Sequence, residues 1–356
     1  MEDHFCTAGE SRSMSRTACL AVGVALLSLL LAAAHPYPPF TYTRVDSSPN
    51  TGSTCCLDVC ALGDIDGDGK LDVVIGGQKS TAAGLVWYQW PKWTKRAIAR
   101  GEFTTDGKCG DVDGDGDIDV IICDYGKGIY WFENPRNLAN TSWTAHRVDT
   151  GYAHDLEVGD LTGDGRLDIV TGNKRDVIVY VQNSTGGFSK RLLMRVPGEG
   201  MTLADMDRDG DLDICYGASW IENPKNLLVD TIHRYIVGSF DAYTKVRAGD
   251  VDKDGDVDLI LTTSESMGPV VWFEAPKDPK LGGWNKHQIE KSLEKAHSLQ
   301  VGDINGDGRL DLATAQMHTS TDKLVLVYLQ QPKGGFERLE LAATGSHNLQ
   351  MGDIAG

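Results

Sequence analysis

Asp64-Ile65-Asp66-Gly67-Asp68-Gly69-Lys70-Leu71-Asp72 is a nine-residue phrase that the chain writes six times in full, as Asp-x-Asp/Asn/Thr-x-Asp-Gly-x-x-Asp. The other copies run from Asp111 to Asp119, Asp160 to Asp168, Asp205 to Asp213, Asp250 to Asp258 and Asp303 to Asp311, and a seventh opens at Asp353. Carboxylates recur at positions 1, 3, 5 and 9, and glycine stands at position 6, where the chain must turn sharply. A hard cation that takes six to eight oxygens in loose geometry is served by this spacing, with the backbone carbonyl of position 7 as a further ligand. Calcium suits it better than magnesium, which demands a small octahedron and dehydrates reluctantly.

The ligand positions are Asp64, Asp66, Asp68, Lys70 and Asp72 in the first loop and Asp111, Asp113, Asp115, Asp117 and Asp119 in the second. The third has Asp160, Thr162, Asp164, Arg166 and Asp168, and the fourth Asp205, Asp207, Asp209, Asp211 and Asp213. Asp250, Asp252, Asp254, Asp256 and Asp258 make the fifth, and Asp303, Asn305, Asp307, Arg309 and Asp311 the sixth. Thr162 and Asn305 remove one charge each, so loops three and six are expected to bind more weakly. Two like charges about 4 Å apart at an effective dielectric of roughly 20 repel by about 4 kcal/mol, so a loop of this kind without a cation is expected to splay. Recurrence in every repeat points to a structural role, with about six calcium sites, rather than to a catalytic centre.

Position 12 of the phrase holds Ile75, Ile122, Thr171, Tyr216, Leu261 and Thr314 and never the bidentate Glu of an EF-hand. The residues after each loop, such as Leu71-Asp72-Val73-Val74-Ile75, are short, β-branched and almost continuously apolar, which reads as a strand buried on both faces. The first aspartates are spaced by 47, 49, 45, 45, 53 and 50 residues, a period that suits a four-stranded propeller blade. A strand leads into each loop, a buried strand leaves it, and an aromatic strand follows, as in Tyr130-Trp131-Phe132-Glu133-Asn134-Pro135, where proline ends the ladder. A fourth strand reads Trp143-Thr-Ala-His146 or Trp284-Asn-Lys-His287.

Phe40 to Val45 reads as another outer strand with no blade before it, and a first strand that completes the last blade is a common way to close a propeller. Six loops, a seventh begun and one orphan strand together predict an all-β fold, a seven-bladed β-propeller whose last blade is truncated. Residues 345–356 are then expected to pack weakly, or Phe40 to Val45 to dock without its proper neighbour.

The formal charge of −17 disfavours nucleic acid and anionic lipid, although six bound divalent ions would bring it to about −5. Residues 1–34 read as a signal peptide, with an uncharged stretch from Ala18 to Ala34, and Met14 as an alternative start. The expected location is extracellular, or periplasmic in a bacterium, with a signal-anchored form as the lesser alternative and no direct membrane binding after cleavage. Residues 35–356 form the propeller. Cys55, Cys56, Cys60, Cys109, Cys123 and Cys215 are an even set that an oxidising compartment would favour as disulfides. Asn140-Thr141-Ser142 and Asn183-Ser184-Thr185 are glycosylation sequons if the source is eukaryotic.

The loops at this period resemble the FG-GAP/VCBS repeat propellers, an extracellular family that includes the head domain of integrin α chains. The resemblance covers Phe40 to Gly356, although the literal Phe-Gly and Gly-Ala-Pro phrase of integrins is absent. It implies calcium at the aspartates above and specifies no catalytic residue.

Six residues before each first aspartate stand Asp58, Thr105, His154, Glu199, Thr244, His297 and His347, one level around the mouth of a central channel if the blades are equivalent. Of these, His154, His297, His347, Glu199 and Asp58 are candidates for acid-base chemistry or for a transition metal, against the plainer reading of a wet, polar channel rim. Trp87, Trp90, Trp131, Trp220 and Trp272 read as packing between blades rather than as sugar platforms. The chain shows no serine nucleophile elbow, phosphate-binding glycine loop or basic patch. The leading expectation is a secreted calcium-binding module for protein or glycan ligands. The rival is a carbohydrate lyase or dehydratase that uses the channel-mouth histidines and carboxylates.

Overall fold

The computed structural model describes residues 4–6, 19–22, 40–47, 58–77, 84–124, 127–136 and 142–354. Among the described residues the regular structure is all β apart from one 3-10 turn at Pro279–Leu281. Six antiparallel four-stranded blades follow one another along the chain. Blade one is built from Val59–Gly63, Asp72–Gly76, Leu85–Gln89 and Thr94–Ala99 in that spatial order, and blade two from Phe103–Gly110, Asp119–Asp124, Gly128–Glu133 and Thr144–Asp149. Blades three to six begin at Asp155, Met201, Thr244 and Ala296 and repeat the arrangement. Each acidic loop joins the innermost strand to the second.

The second strands are buried along their whole length in blades one, three, four, five and six, as Asp72–Gly76, Asp168–Gly172, Asp213–Tyr216, Asp258–Thr263 and Asp311–Gln316. Their other side chains pack against the neighbouring blade. Val59, Val74 and Trp87 of blade one meet Val120, Ile122 and Phe132 of blade two, and the same kind of cluster fills the gaps between blades two and three, three and four, four and five, and five and six. The core is therefore a ring of interfaces rather than a single centre.

The expected seven blades are corrected to six. A further four-stranded sheet, in the order Met351–Gly352, Cys19–Val22, His4–Cys6, Tyr42–Thr43, fills the gap between blades six and one with strands of two to four residues. N-terminal segments take its middle places, within the stretch that the sequence reads as a signal peptide, and it lacks the aromatic strand of the repeat. Residues 345–354 do not pack weakly. Leu349 and Ile354 are buried, and Gln350 Nε2 donates to the Cys60 carbonyl at 3.0 Å. Tyr42 packs on the blade-six cluster beside Leu349, and Val45 on the blade-one cluster beside Ile354. Phe40 to Val45 thus belongs to the closure, with Tyr42–Thr43 paired to His4–Cys6.

Neighbouring blades approach closely at the glycine before each loop. A Cβ on Gly110 would stand 2.6 Å from Leu167 Cδ1, one on Gly159 3.1 Å from Leu212 Cδ1, and one on Gly249 2.7 Å from Leu310 Cδ1. In these three the partner is position 8 of the next loop, whereas Gly302 meets Met351 at 2.5 Å. Gly352 makes the same approach to Leu71 at 2.8 Å, which carries the pattern across the closure. Blade four has Ala204 instead of glycine, and position 8 of loop five is Val257, one carbon smaller than leucine.

In blades two, three, four and six an amide at the end of the third strand ties the blade to the preceding loop. Asn134 Nδ2 donates to Ile65 O at 2.8 Å, Gln182 Nε2 to Val112 O at 2.7 Å, Asn223 Nδ2 to Leu161 O at 2.7 Å and Gln330 Nε2 to Val251 O at 2.8 Å. Blade five has Ala275 at this place, and there Arg208 of loop four reaches the carbonyls of Gly255 and Lys277, both at 3.2 Å.

Two predictions follow from this packing. Gly110→Ala should cost about 1–3 kcal/mol in thermal or denaturant unfolding, because the added carbon overpacks a closed contact. Adding Leu167→Val should recover part of that loss, and additive costs would show that the two positions do not meet. Asn223→Ala should cost about 1–3 kcal/mol for each buried carbonyl it orphans, and an unchanged melting temperature would contradict the tie.

Candidate functional site

The acidic loops fold around their own carboxylates. In loop one, Asp64 Oδ1 accepts from the Asp68 N–H and its Oδ2 from the Gly69 N–H, both at 2.9 Å, while Asp68 Oδ1 accepts from the Lys70 N–H at 2.8 Å. The same three bonds recur in the other five loops. Position 4 also has positive φ, as glycine in four loops and as Arg208 and Lys253 in the others. Carboxylate oxygens of Asp64, Asp66 and Asp68 lie within 4.8 Å of one another, as do those of Asp111, Asp113 and Asp115, of Asp205, Asp207 and Asp213, and of Asp250, Asp252 and Asp254.

Position 9 plays a second part. Asp213 is buried, its Oδ2 accepts from the Met206 N–H at 2.9 Å, and its Oδ1 accepts from the Asn223 N–H at 2.8 Å. Asp72, Asp119, Asp168, Asp258 and Asp311 are held in the same way by one N–H of their own loop and one from the third strand. Burial pushes Asp72, Asp213 and Asp258 up to about 7, and Asp119 and Asp311 up to about 6, with nearby carboxylates adding to the shift. Burial also raises Asp168.

Basic side chains lean on several loops. Arg136 pairs with Asp115 at 2.9 Å and Asp117 at 2.6 Å, and Lys280 sits 2.5 Å from Asp207 and 2.6 Å from Glu222. Arg166, Arg208 and Arg309 pair with Asp164, Asp256 and Asp307. These groups relieve part of the negative charge of the loops.

The channel-mouth candidates lie at the opposite end of the inner strands. Five or six residues at about 3.3 Å each put that end on the order of 20 Å from the loops. His154 Nε2 lies 3.4 Å from Glu199 Oε2 and its Nδ1 3.5 Å from Asp155 Oδ2. The His297 and His347 rings are 4.2 Å apart, and His347 Nδ1 is 3.4 Å from Asp58 Oδ1. Glu199, Glu265 and His297 offer ligand atoms within 4.8 Å of one another. Thr244 Oγ1 donates to the Glu199 carbonyl at 3.0 Å, and Thr105 Oγ1 contacts the Ala153 carbonyl at 3.4 Å, so these two serve the backbone.

Charge is finely divided at this mouth. Burial would raise Glu199, but Lys245 and His154 outweigh it and hold the carboxyl below its ordinary range. Asp155 is lowered in the same way against its burial, by Lys245 and His154. Burial, reinforced by Lys245, lowers His297, and burial with the adjacent His297 drives His347 further down. Behind the mouth, Lys108, Asp106, Glu157 and Arg247 form a chain of ion pairs at 3.2, 3.3 and 4.0 Å, and the remaining cavity is about 30 Å³, room for a single water.

The structure brings His154 beside Glu199 and His347 beside His297 and Asp58, and it adds Glu265 and Lys174 from hairpin turns, which sequence reading missed. Glu199 is set by glycines on both sides. A Cβ on Gly198 would stand 2.5 Å from the Ala242 carbonyl oxygen and one on Gly200 2.6 Å from that of Thr244, so the Gly-Glu-Gly run is a signal that sequence reading could have used. Trp87, Trp131 and Trp220 lie in the clusters between blades. Trp131 stacks on His146 at 4.1 Å, Trp272 on His287 at 4.3 Å and Trp220 on Tyr235 at 4.6 Å, each across a strand pair. The disulfide expectation fails for Cys109, Cys123 and Cys215, which are thiols whose titration burial pushes up. Cys55 and Cys56 lie outside the described residues, as does the Asn140 sequon.

Residues 111–171, 160–216 and 250–314 match the family described as FG-GAP-like repeat. No curated protein matches the chain. Among solved structures, a lectin of Agrocybe aegerita, described as recognising non-reducing terminal N-acetylglucosamine, superposes with a TM-score of 0.63 at 16% identity, over 100% of this chain and 96% of that one. A putative 6-phosphogluconolactonase of Bacteroides fragilis gives 0.56 at 12% identity over 99% and 98% of the two chains. A periplasmic gluconolactonase of Pseudomonas aeruginosa gives 0.53 at 13% identity over 99% and 100%. At these identities the likeness speaks for the propeller fold alone. With the repeated loops, the blade order and the family match together, the chain belongs to the FG-GAP repeat β-propellers.

Proposed function

We propose that this chain is a secreted, calcium-stiffened propeller that acts as a glycan-binding module. Calcium is supported by the three converging carboxylates in each of loops one, two, four and five and by the oxygen-only donor set. In loops three and six Thr162 and Asn305 would take part as neutral oxygen donors. A bound ion would neutralise charge that burial otherwise makes costly. Extracellular calcium, at the level that fills weak modules, fits the signal-like stretch from Ala18 to Ala34.

The ligand class rests on one observation, a groove of about 590 Å³ between blades five and six. Glu290, Glu294, Gln316, Asp322 and Arg338 line it, with Leu293 and Leu324 as apolar floor. Thr321 N–H donates to Glu294 Oε2 at 2.8 Å, which fixes one carboxylate. Carboxylates and amides at this spacing accept and donate to sugar hydroxyls, and three acids against one arginine favour neutral or amino sugars over sulfated or uronic ones. The likeness in fold to the Agrocybe aegerita lectin, described as recognising N-acetylglucosamine, is compatible with this reading. A protein ligand at the same face is the alternative partner. A second reading, a carbohydrate lyase or dehydratase, draws support from His154 standing between two carboxylates at the channel mouth.

Chelation should lower the melting temperature and calcium should restore it in proportion to concentration. In the chelated protein the raised position-9 aspartates contribute stability that is complete below their ordinary value of 3.8 and lost as pH rises through about 7. Stability should therefore fall between about pH 4 and pH 7 without calcium and stay nearly level with it. Identical pH profiles would refute calcium at the loops. Glycan-array binding by the calcium-loaded protein should favour neutral or amino sugars and weaken at least about tenfold in Glu290→Gln with Glu294→Gln. Equal binding by the variant would move the ligand elsewhere, and turnover of a polysaccharide lost in His154→Ala would favour the enzyme.

A further inference from the structure

His297 Nδ1 lies 3.2 Å from the backbone carbonyl oxygen of His347. A carbonyl only accepts, so Nδ1 carries the hydrogen and Nε2 presents its lone pair. That lone pair faces Glu265 Oε1 at 3.6 Å. Two electron-pair donors aimed at each other repel unless a proton or a metal ion lies between them. The hydrogen bond from the far ring nitrogen to a carbonyl is also the arrangement that orients a metal-bound histidine.

Glu199 completes the group. It is fully buried, its Oε1 accepts from Ser264 Oγ, and its Oε2 is turned toward the rim, 3.4 Å from His154 Nε2. His154 is buried too, and its Nδ1 makes no hydrogen bond. The backbone of Glu199 is clamped to the next blade through the Ala242 carbonyl, which accepts from its N–H at 3.0 Å. The carboxylate position is therefore fixed by the ring itself and not by a loose side chain.

We propose that Glu199, Glu265 and His297 bind one divalent transition metal at the channel mouth, at a site separate from the six acidic loops. One imidazole with two carboxylates suits zinc, manganese or iron(II) and discriminates against calcium, whose loops here offer oxygen alone. Three protein ligands leave a position open, and Glu265 stands on the exposed side, so the fourth place faces solvent and a hydroxyl- or carboxylate-bearing ligand. The metal would polarise that ligand as a Lewis acid.

Lys174 is the competitor for this place. Its Nζ is 3.1 Å from Glu199 Oε2 and 3.9 Å from Glu265 Oε1, but the side chain is one-third exposed and lies over the Tyr243 ring at 5.5 Å. It reaches the rim of the cluster and can swing away. The assignment does not depend on the glycan reading.

Zinc binding should be measured by competition with a chromophoric chelator on the whole chain, with calcium in millimolar excess to occupy the loops. The expected result is one tight equivalent, weakened at least about 100-fold in Glu265→Gln and in His297→Gln, and unchanged or tightened in Lys174→Ala. Glu265 lies on an exposed turn, so its variant keeps the fold, which circular dichroism and the calcium-dependent melting temperature will verify. Cobalt(II) in place of zinc should give an absorption spectrum that Glu265→Gln alters. Absence of a tight equivalent in the unmodified chain, or equal zinc affinity in Glu265→Gln, would overturn the assignment.

Discussion

A buried aspartate that accepts two backbone N–H groups is the interaction on which this ring is hung. The first, from position 2 of its own loop, holds the loop closed, and the second, from the end of the third strand, fixes the sheet beside it. Six such residues begin the second strand of six blades. Each carries a charge into a site where solvent cannot reach it, and burial raises its titration accordingly. The adjoining carboxylates at positions 1, 3 and 5 make the problem worse unless a cation is supplied. The calcium ions proposed above would supply the counter-charge to this clamp.

Two further contacts turn six clamps into one ring. The amide of Asn134, Gln182, Asn223 or Gln330 takes the position-2 carbonyl of the preceding loop, so the group whose N–H meets one aspartate is tied by its C=O to the next blade. Gly63, Gly110, Gly159, Gly249 and Gly352 each admit the position-8 side chain of the next loop. Ala204 with Val257 shows the same contact met by a different division of volume, and the blade-four junction also trades its amide tie for Arg208 and Lys280. Loops on one face and the histidine-carboxylate cluster on the other are joined by inner strands that both rely on. A ligand at the channel mouth consequently meets a rim whose Glu199 is placed by backbone contacts between blades rather than by side-chain packing.

Most of the architecture was legible because its signals repeat. The nine-residue phrase, its period and the aromatic strand fixed the blade and the place of the loops, and the six-residue offset put Asp58, His154, Glu199, His297 and His347 around one opening. The blade number was misjudged because the closing sheet is assembled from segments far apart in sequence, which no period can reveal. Glu265 and Lys174 were missed because they sit on hairpin turns that differ between blades. The disulfide expectation followed from compartment and count, whereas Cys109, Cys123 and Cys215 are used as small apolar groups between blades. The histidine and tyrosine opposite each tryptophan were visible as residues, but their stacking depends on register across the third and fourth strands.

Elemental analysis of the purified full chain, equilibrated with micromolar free calcium and freed of excess by gel filtration, tests the central claim most directly. The account predicts several bound calcium ions per chain, the loops with three converging aspartates filling before those with Thr162 and Asn305, and a total approaching six as calcium is raised. A compact, cooperatively folded chain that retains no calcium at any concentration would contradict it.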